Sequence, residues 1–233
     1  MSGKSRLATM DYSKGFGKWS LWYIPIFALV YVILNIFVRE PELNEISFFA
    51  MALSANRIYM LVLGILAPYS FLEWSLNLGL TRKTFFQAMV SAGVIVTLFV
   101  MAVTAAVSLI LGFMPWFGTS IPEVTGGTET LVHVGGYVLS TLLYFLGGLL
   151  ISVGFYRGFI PGAGVLILTI LLFMATDVLW SRDEGIAGIP AIDSLDLMLE
   201  LGIWTVLVIT LAALVIICAA LYYTIRNISV KIK

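Results

Sequence analysis

Cysteine and histidine each occur once in this 233-residue chain, and charged residues make up only 11% of it. With Cys218 alone, no disulfide can close within the chain and no all-cysteine metal site can form. Cys218 stands inside an apolar run, where a small buried hydrophobe is the expected role. His133 has no second imidazole with which to complete a histidine metal site. The 13 basic and 13 acidic residues cancel, so the charge balance offers nothing to nucleic acid. No G-x-S-x-G surrounds any serine, and no acidic pair stands within an apolar run, so a nucleophile with its base is missing.

What the chain has in abundance is apolar surface. It is 61% hydrophobic, with a mean hydropathy of +1.04, whereas soluble domains are about 45–50% apolar and about 25% charged. One core cannot bury that excess, which predicts an integral membrane protein. A spanning helix needs about 20 apolar residues, because lipid leaves every backbone donor and acceptor to be satisfied within the segment. Six stretches qualify: Ser20 to Val38, Ser54 to Leu72, Met89 to Phe113, Leu131 to Phe155, Gly162 to Trp180 and Leu201 to Tyr223. The predicted fold is all-α, a polytopic bundle of six transmembrane helices with both termini cytosolic.

Charge gives the orientation. With the termini inside, Lys4, Arg6, Lys14, Lys18, Arg82, Lys83, Arg157, Arg226, Lys231 and Lys233 are cytosolic, and only Arg39, Arg57 and Arg182 remain outside or at the outer interface. Most acids fall on the other side, from Glu40, Glu42 and Glu45 through Glu123 and Glu129 to Asp183, Glu184, Asp193, Asp196 and Glu200. Residues 1–19 then form a cytosolic or interfacial lead-in, 20–225 the membrane domain and 226–233 a cytosolic tail. Loops this short leave no room for a soluble catalytic domain. Residues Ser194 to Leu201 have the spacing of a short amphipathic helix before the last span. Gly3, Lys4 and Ser5 match only the end of a phosphate-binding loop, which is read as accidental.

Few polar groups stand within the spans, where an ionisable side chain usually marks function. Arg57 and Asp177 are the two charges placed most deeply. Both sit near outer span ends, so snorkelling to headgroups is the preferred expectation, with an Arg57–Asp177 ion pair or a polar lining of an exit path as the alternative. Gly135, Gly136, Gly147, Gly148, Ala102, Ala105 and Ala106 are expected to be helix-packing contacts.

Between the second and third runs stands LGLTRKTFFQA, Leu78 to Ala88. Gly79 can end one helix and the Thr81 hydroxyl can cap the next. Arg82 and Lys83 then point to headgroups or an acidic surface, while Phe85 and Phe86 offer two rings, one for the bilayer and one for a pocket. A basic loop serving only as a topological anchor explains the same spacing. The order of features nevertheless resembles the membrane (permease) subunit of bacterial ABC-2-type exporters: a basic lead-in, six spans, a G-x-T-R-K-x-F-F turn after the second, and a partly apolar outer segment before the sixth.

That resemblance implies a coupling helix near residues 79–87, with Gly79, Thr81, Arg82, Lys83, Phe85 and Phe86 fitting a cleft in a separate ATP-binding cassette ATPase. It further implies a second membrane subunit, no cofactor on this chain, ATP used through the partner, and an amphiphilic peptide, lipid-like or drug-like cargo crossing a bacterial plasma membrane. A substrate-capture component of a vitamin uptake system and an intramembrane hydrolase are the competing expectations.

Overall fold

The structure is a computed structural model and describes residues 3–37, 48–113, 128–181 and 203–226. Its elements are α1 (Gly3–Phe37), α2 (Phe48–Asn77), α3 (Arg82–Gly112), α4 (Thr128–Arg157), α5 (Phe159–Ser181) and α6 (Ile203–Arg226). All six are long and apolar enough to cross a membrane. The fold is therefore all-helical among the described residues, and the chain is a multi-pass membrane protein.

The helices outrun the apolar stretches that define them in sequence. At about 1.5 Å per residue, the 35 residues of α1 reach about 52 Å, against about 30 Å of hydrocarbon. Residues 3–19 of the lead-in form the first half of α1, continuous with the first span. Gly15 and Gly17 do not break it, because tertiary contact outweighs their poor helix propensity. A Cβ on Gly15 would lie 3.1 Å from Phe71 Cζ, so the missing side chain lets α1 press against α2. Tyr12 and Phe16, on the same stretch, are completely buried.

Helix α4 is the axle of the bundle. Inside its spanning window 78% of residues are buried, whereas the other five helices range from 17% to 33%. It packs against α2, α5 and α6, and α1 completes the bundle chiefly against α3. The approach of α4 to α2 is a backbone crossing: a Cβ on Gly64 would stand 2.2 Å from Phe145 O, and one on Gly148 2.3 Å from Leu61 O. Gly136 and Gly147 similarly receive Trp180 and Phe173 of α5. Of the other small residues expected to pack, Gly135 has nothing within 4 Å, and Ala102 and Ala106 are exposed on α3. Gly64 and Gly93, which the sequence did not single out, lie in tight contacts instead.

Contacts between helix ends define two ends of the molecule. Arg82 Nη1 donates to Arg226 O at 3.0 Å and Arg157 Nη2 to Thr224 O at 3.1 Å, so the α3 start, the α4 end and the α6 end lie together. Tyr12 and Ser75 share a short hydroxyl contact there, adding the first half of α1 and the end of α2. This is the basic end. Tyr31 against Phe48, and His133 against Trp180, mark the opposite end. The connections at 38–47, 114–127 and 182–202, with the amphipathic helix expected at Ser194 to Leu201, and the tail at 227–233 lie outside the described residues.

Candidate functional site

At the basic end, α2 stops on a glycine. Leu80 N donates to Ser75 O at 3.1 Å and Gly79 N to Leu76 O at 2.9 Å, with Gly79 at φ 74°. That pair of bonds is the Schellman ending, which requires the left-handed conformation a glycine adopts freely. Thr81 then caps α3, its Oγ1 accepting from Thr84 N at 3.2 Å. The two helices are thus joined without any intervening element. The coupling helix that the resemblance implies near residues 79–87 is not a separate element: α3 begins at Arg82 and runs unbroken to Gly112.

The helical repeat then decides where the two phenylalanines go. Phe85 shares a face with Ala88, Met89 and Ala92, the buried face of α3, and is only 1% exposed. Its ring meets Tyr12 at 6.0 Å, edge to face. Phe86 is half-buried, with Tyr222 of α6 at 5.5 Å. Neither ring projects as a knob. Arg82 is occupied at the α6 carboxyl end, where a cation complements the helix dipole. The exposed residues of the turn are Leu78, Gly79, Thr81 and Lys83.

Toward the opposite end, α2, α4 and α5 bring together the two intramembrane charges. Arg57 Nη1 donates to Asp177 Oδ1 at 3.1 Å, so the ion pair given as the alternative expectation forms. The reason is geometric: α4 separates α2 from α5, and the long arginine reaches across it. The second carboxylate oxygen accepts from the Tyr144 hydroxyl. Tyr137, two turns away on the same α4 face, lies under the guanidinium with its centroid 5.5 Å from Arg57 Cζ. Tyr144 is in turn held by stacking on Phe173 at 4.0 Å. Arg57 Nε is buried without a hydrogen-bond partner. The side chains of Arg57 and Asp177 are 15% and 43% exposed.

Beside Arg57, Asn56 makes a second polar bridge that was not picked out of the sequence. It is 1% exposed, accepts from Tyr23 Oη at 3.1 Å through Oδ1, and donates through Nδ2 to Thr104 Oγ1 at 3.1 Å. Tyr23 also stacks on Tyr59 at 3.9 Å, and Ser20 lies 2.9 Å from the Tyr59 hydroxyl. The available signal was an asparagine within an apolar run, a residue that must find partners when buried in lipid.

Among the described residues no group of His, Cys, Asp and Glu is arranged to hold a metal ion. His133 faces the Trp180 ring at 6.4 Å, and Trp180 Nε1 donates to Thr210 Oγ1 at 3.1 Å. Cys218 is a half-buried free thiol packed against the core. Fold and sites together define a class, a six-helix membrane bundle with a tight basic turn at one end and a charge pair toward the other. No protein-family model, no curated protein and no solved structure matches the chain.

Proposed function

We propose that this chain is the membrane subunit of an ABC-2-type exporter in a bacterial plasma membrane, driven by a separate ATP-binding cassette ATPase and working beside a second membrane subunit. In this reading the basic end is cytosolic, as the lysine and arginine distribution favours. The observation that carries the proposal is how the Gly79–Lys83 turn is held. Tyr12 of α1 touches Ser75 of α2 through its hydroxyl and Phe85 of α3 through its ring, so three spanning helices converge directly behind the turn. A push on the turn reaches all three without being absorbed by a flexible linker.

The ATPase contact differs from that of a projecting pair of rings. Leu78, Gly79, Thr81 and Lys83 form the docking surface; Phe85 and Phe86 stiffen it from within. ATP does work here only because the ATPase pair favours one conformation of the turns over another, since binding without that preference shifts no equilibrium. The cargo is an amphiphile. This chain acts as the path and not as an enzyme, and its cofactor need is met by the partner's ATP.

The test is affinity purification in mild detergent from the native host, comparing the parent chain with Leu78→Glu combined with Lys83→Glu. The expected outcome is a stoichiometric nucleotide-binding subunit that is lost in the variant while membrane insertion is unchanged. Recovery of a folded bundle with no nucleotide-binding partner would overturn the reading, as would labelling of Lys83→Cys from the extracellular side of intact cells.

A further inference from the structure

We infer that Arg57 and Asp177 form a binding site for the zwitterionic headgroup of an amphiphile, the phosphate taken by Arg57 and the ammonium by Asp177. The site belongs to the bundle alone and does not rest on the ATPase.

Depth is the first argument. The 23 residues of α5 span about 35 Å, slightly more than the hydrocarbon. Asp177 is one turn from the end of that helix at Ser181, close to the boundary where headgroup charges lie. Arg57 meets it there from α2.

Exposure is the second. Ile167, Ile170, Met174 and Asp177 follow one another at helical spacing on one face of α5, and the three apolar side chains are 60%, 45% and 52% exposed. The Asp177 side chain, at the head of that apolar stripe, stays 43% exposed where Arg57 and Tyr144 do not cover it, and an open charge at that depth is costly. An acyl chain lying along the stripe sets its own headgroup beside Asp177. One ligand thereby satisfies both parts of the surface.

Unused bonding capacity is the third. The Arg57–Asp177 contact is single, through Nη1 and Oδ1, while the Tyr144 hydroxyl donates to Oδ2. The fork of the guanidinium is therefore not matched by the carboxylate. Anionic oxygens suit that fork in pairs. A purely anionic ligand would strip Arg57 from Asp177 and strand the carboxylate. A zwitterion exchanges one ion pair for two, and the Tyr137 ring stays under the guanidinium that takes the phosphate.

The measurement is the motionally restricted fraction of spin-labelled phosphatidylethanolamine, with phosphatidylglycerol as the anionic comparison, around the full chain in phosphatidylglycerol vesicles. The parent is expected to favour phosphatidylethanolamine by about tenfold, the scale of one charge-assisted bond. Asp177→Asn and Arg57→Gln should each reduce that preference to parity. Arg57→Lys, which keeps the charge, should retain part of it. If a substitution impairs folding, the parent's own lipid preference still decides the matter: no preference overturns the inference. A parent preference that survives both Asp177→Asn and Arg57→Gln also overturns it, since the pair would then be a structural tie. Soluble phosphoethanolamine separates the sources. Failure to compete away the lipid supports an amphiphile site, whereas full competition at equal concentration reassigns it to a soluble zwitterion and overturns the amphiphile assignment. Loss of the ATPase partner would leave every arm of this experiment readable.

Discussion

Substituting Gly148 by alanine adds one methyl group at the closest point between α2 and α4, and its effect follows from the backbone alone. The new Cβ would sit 2.3 Å from Leu61 O, with Ile65 N at 3.0 Å and Gly64 Cα at 3.1 Å. Ordinary contact begins at 3.4 Å, so the helices must part by about 3.4 − 2.3 = 1.1 Å along that line. All three obstacles are backbone atoms, so no side chain can rotate away. A gap of about 0.5–1 Å forfeits a quarter to a half of each dispersion contact along the seam, which here holds Met60, Leu63, Phe145 and Leu149. The expected loss is about 1–3 kcal/mol, the range for overpacking a close-fitted interior.

Gly135→Ala supplies the control on the same helix, because nothing lies within 4 Å of its Cβ position. There the gain in helix propensity, up to about 1 kcal/mol, acts unopposed. Reversible unfolding in mixed micelles, followed by tryptophan fluorescence, should show the two alanines moving stability in opposite directions. Equal shifts for Gly148→Ala and Gly135→Ala would refute the backbone crossing, and with it α4 as the axle.

Asn56→Leu should destabilise the bundle by about 1–2 kcal/mol in the same assay, since it leaves the Tyr23 and Thr104 hydroxyls without their buried partner; an unchanged midpoint would show the bridge to be dispensable. Phe85→Ala should lower stability by about 3–5 kcal/mol, as for other fully buried phenylalanines, whereas Lys83→Ala should stay within about 0.5 kcal/mol because the residue is exposed. Similar midpoints for those two would place Phe85 outside the core. Gly79→Ala must adopt φ 74° with a Cβ and should cost about 1–2 kcal/mol. Thr81→Ala should cost about 1 kcal/mol through the lost cap, and Thr81→Ser should restore most of it.

The membrane class, the number of spans and the chain reversal at Gly79 were legible because each depends on local chemistry. Apolar length decides whether a segment can stay in lipid, and a glycine followed by a threonine carries its own stop and start signals. Arg57 and Asp177 were visible as isolated charges for the same reason. Their pairing stood only as the alternative to snorkelling: they are 120 positions apart, and the packing of α2 and α5 about α4 is what brings them within 3.1 Å.

Composition and hydropathy along the chain by themselves determined a six-span helical membrane protein and the basic turn that links its second and third helices. Tertiary structure alone decided that Phe85 turns inward, that Gly64 meets Gly148, and that Asn56 joins three helices. In lipid nearly every face of a spanning helix is apolar, so the 3.6-residue pattern that identifies the buried face of a soluble helix carries little information. Which face turns inward is then set by close backbone approach and by the few polar groups that must find one another.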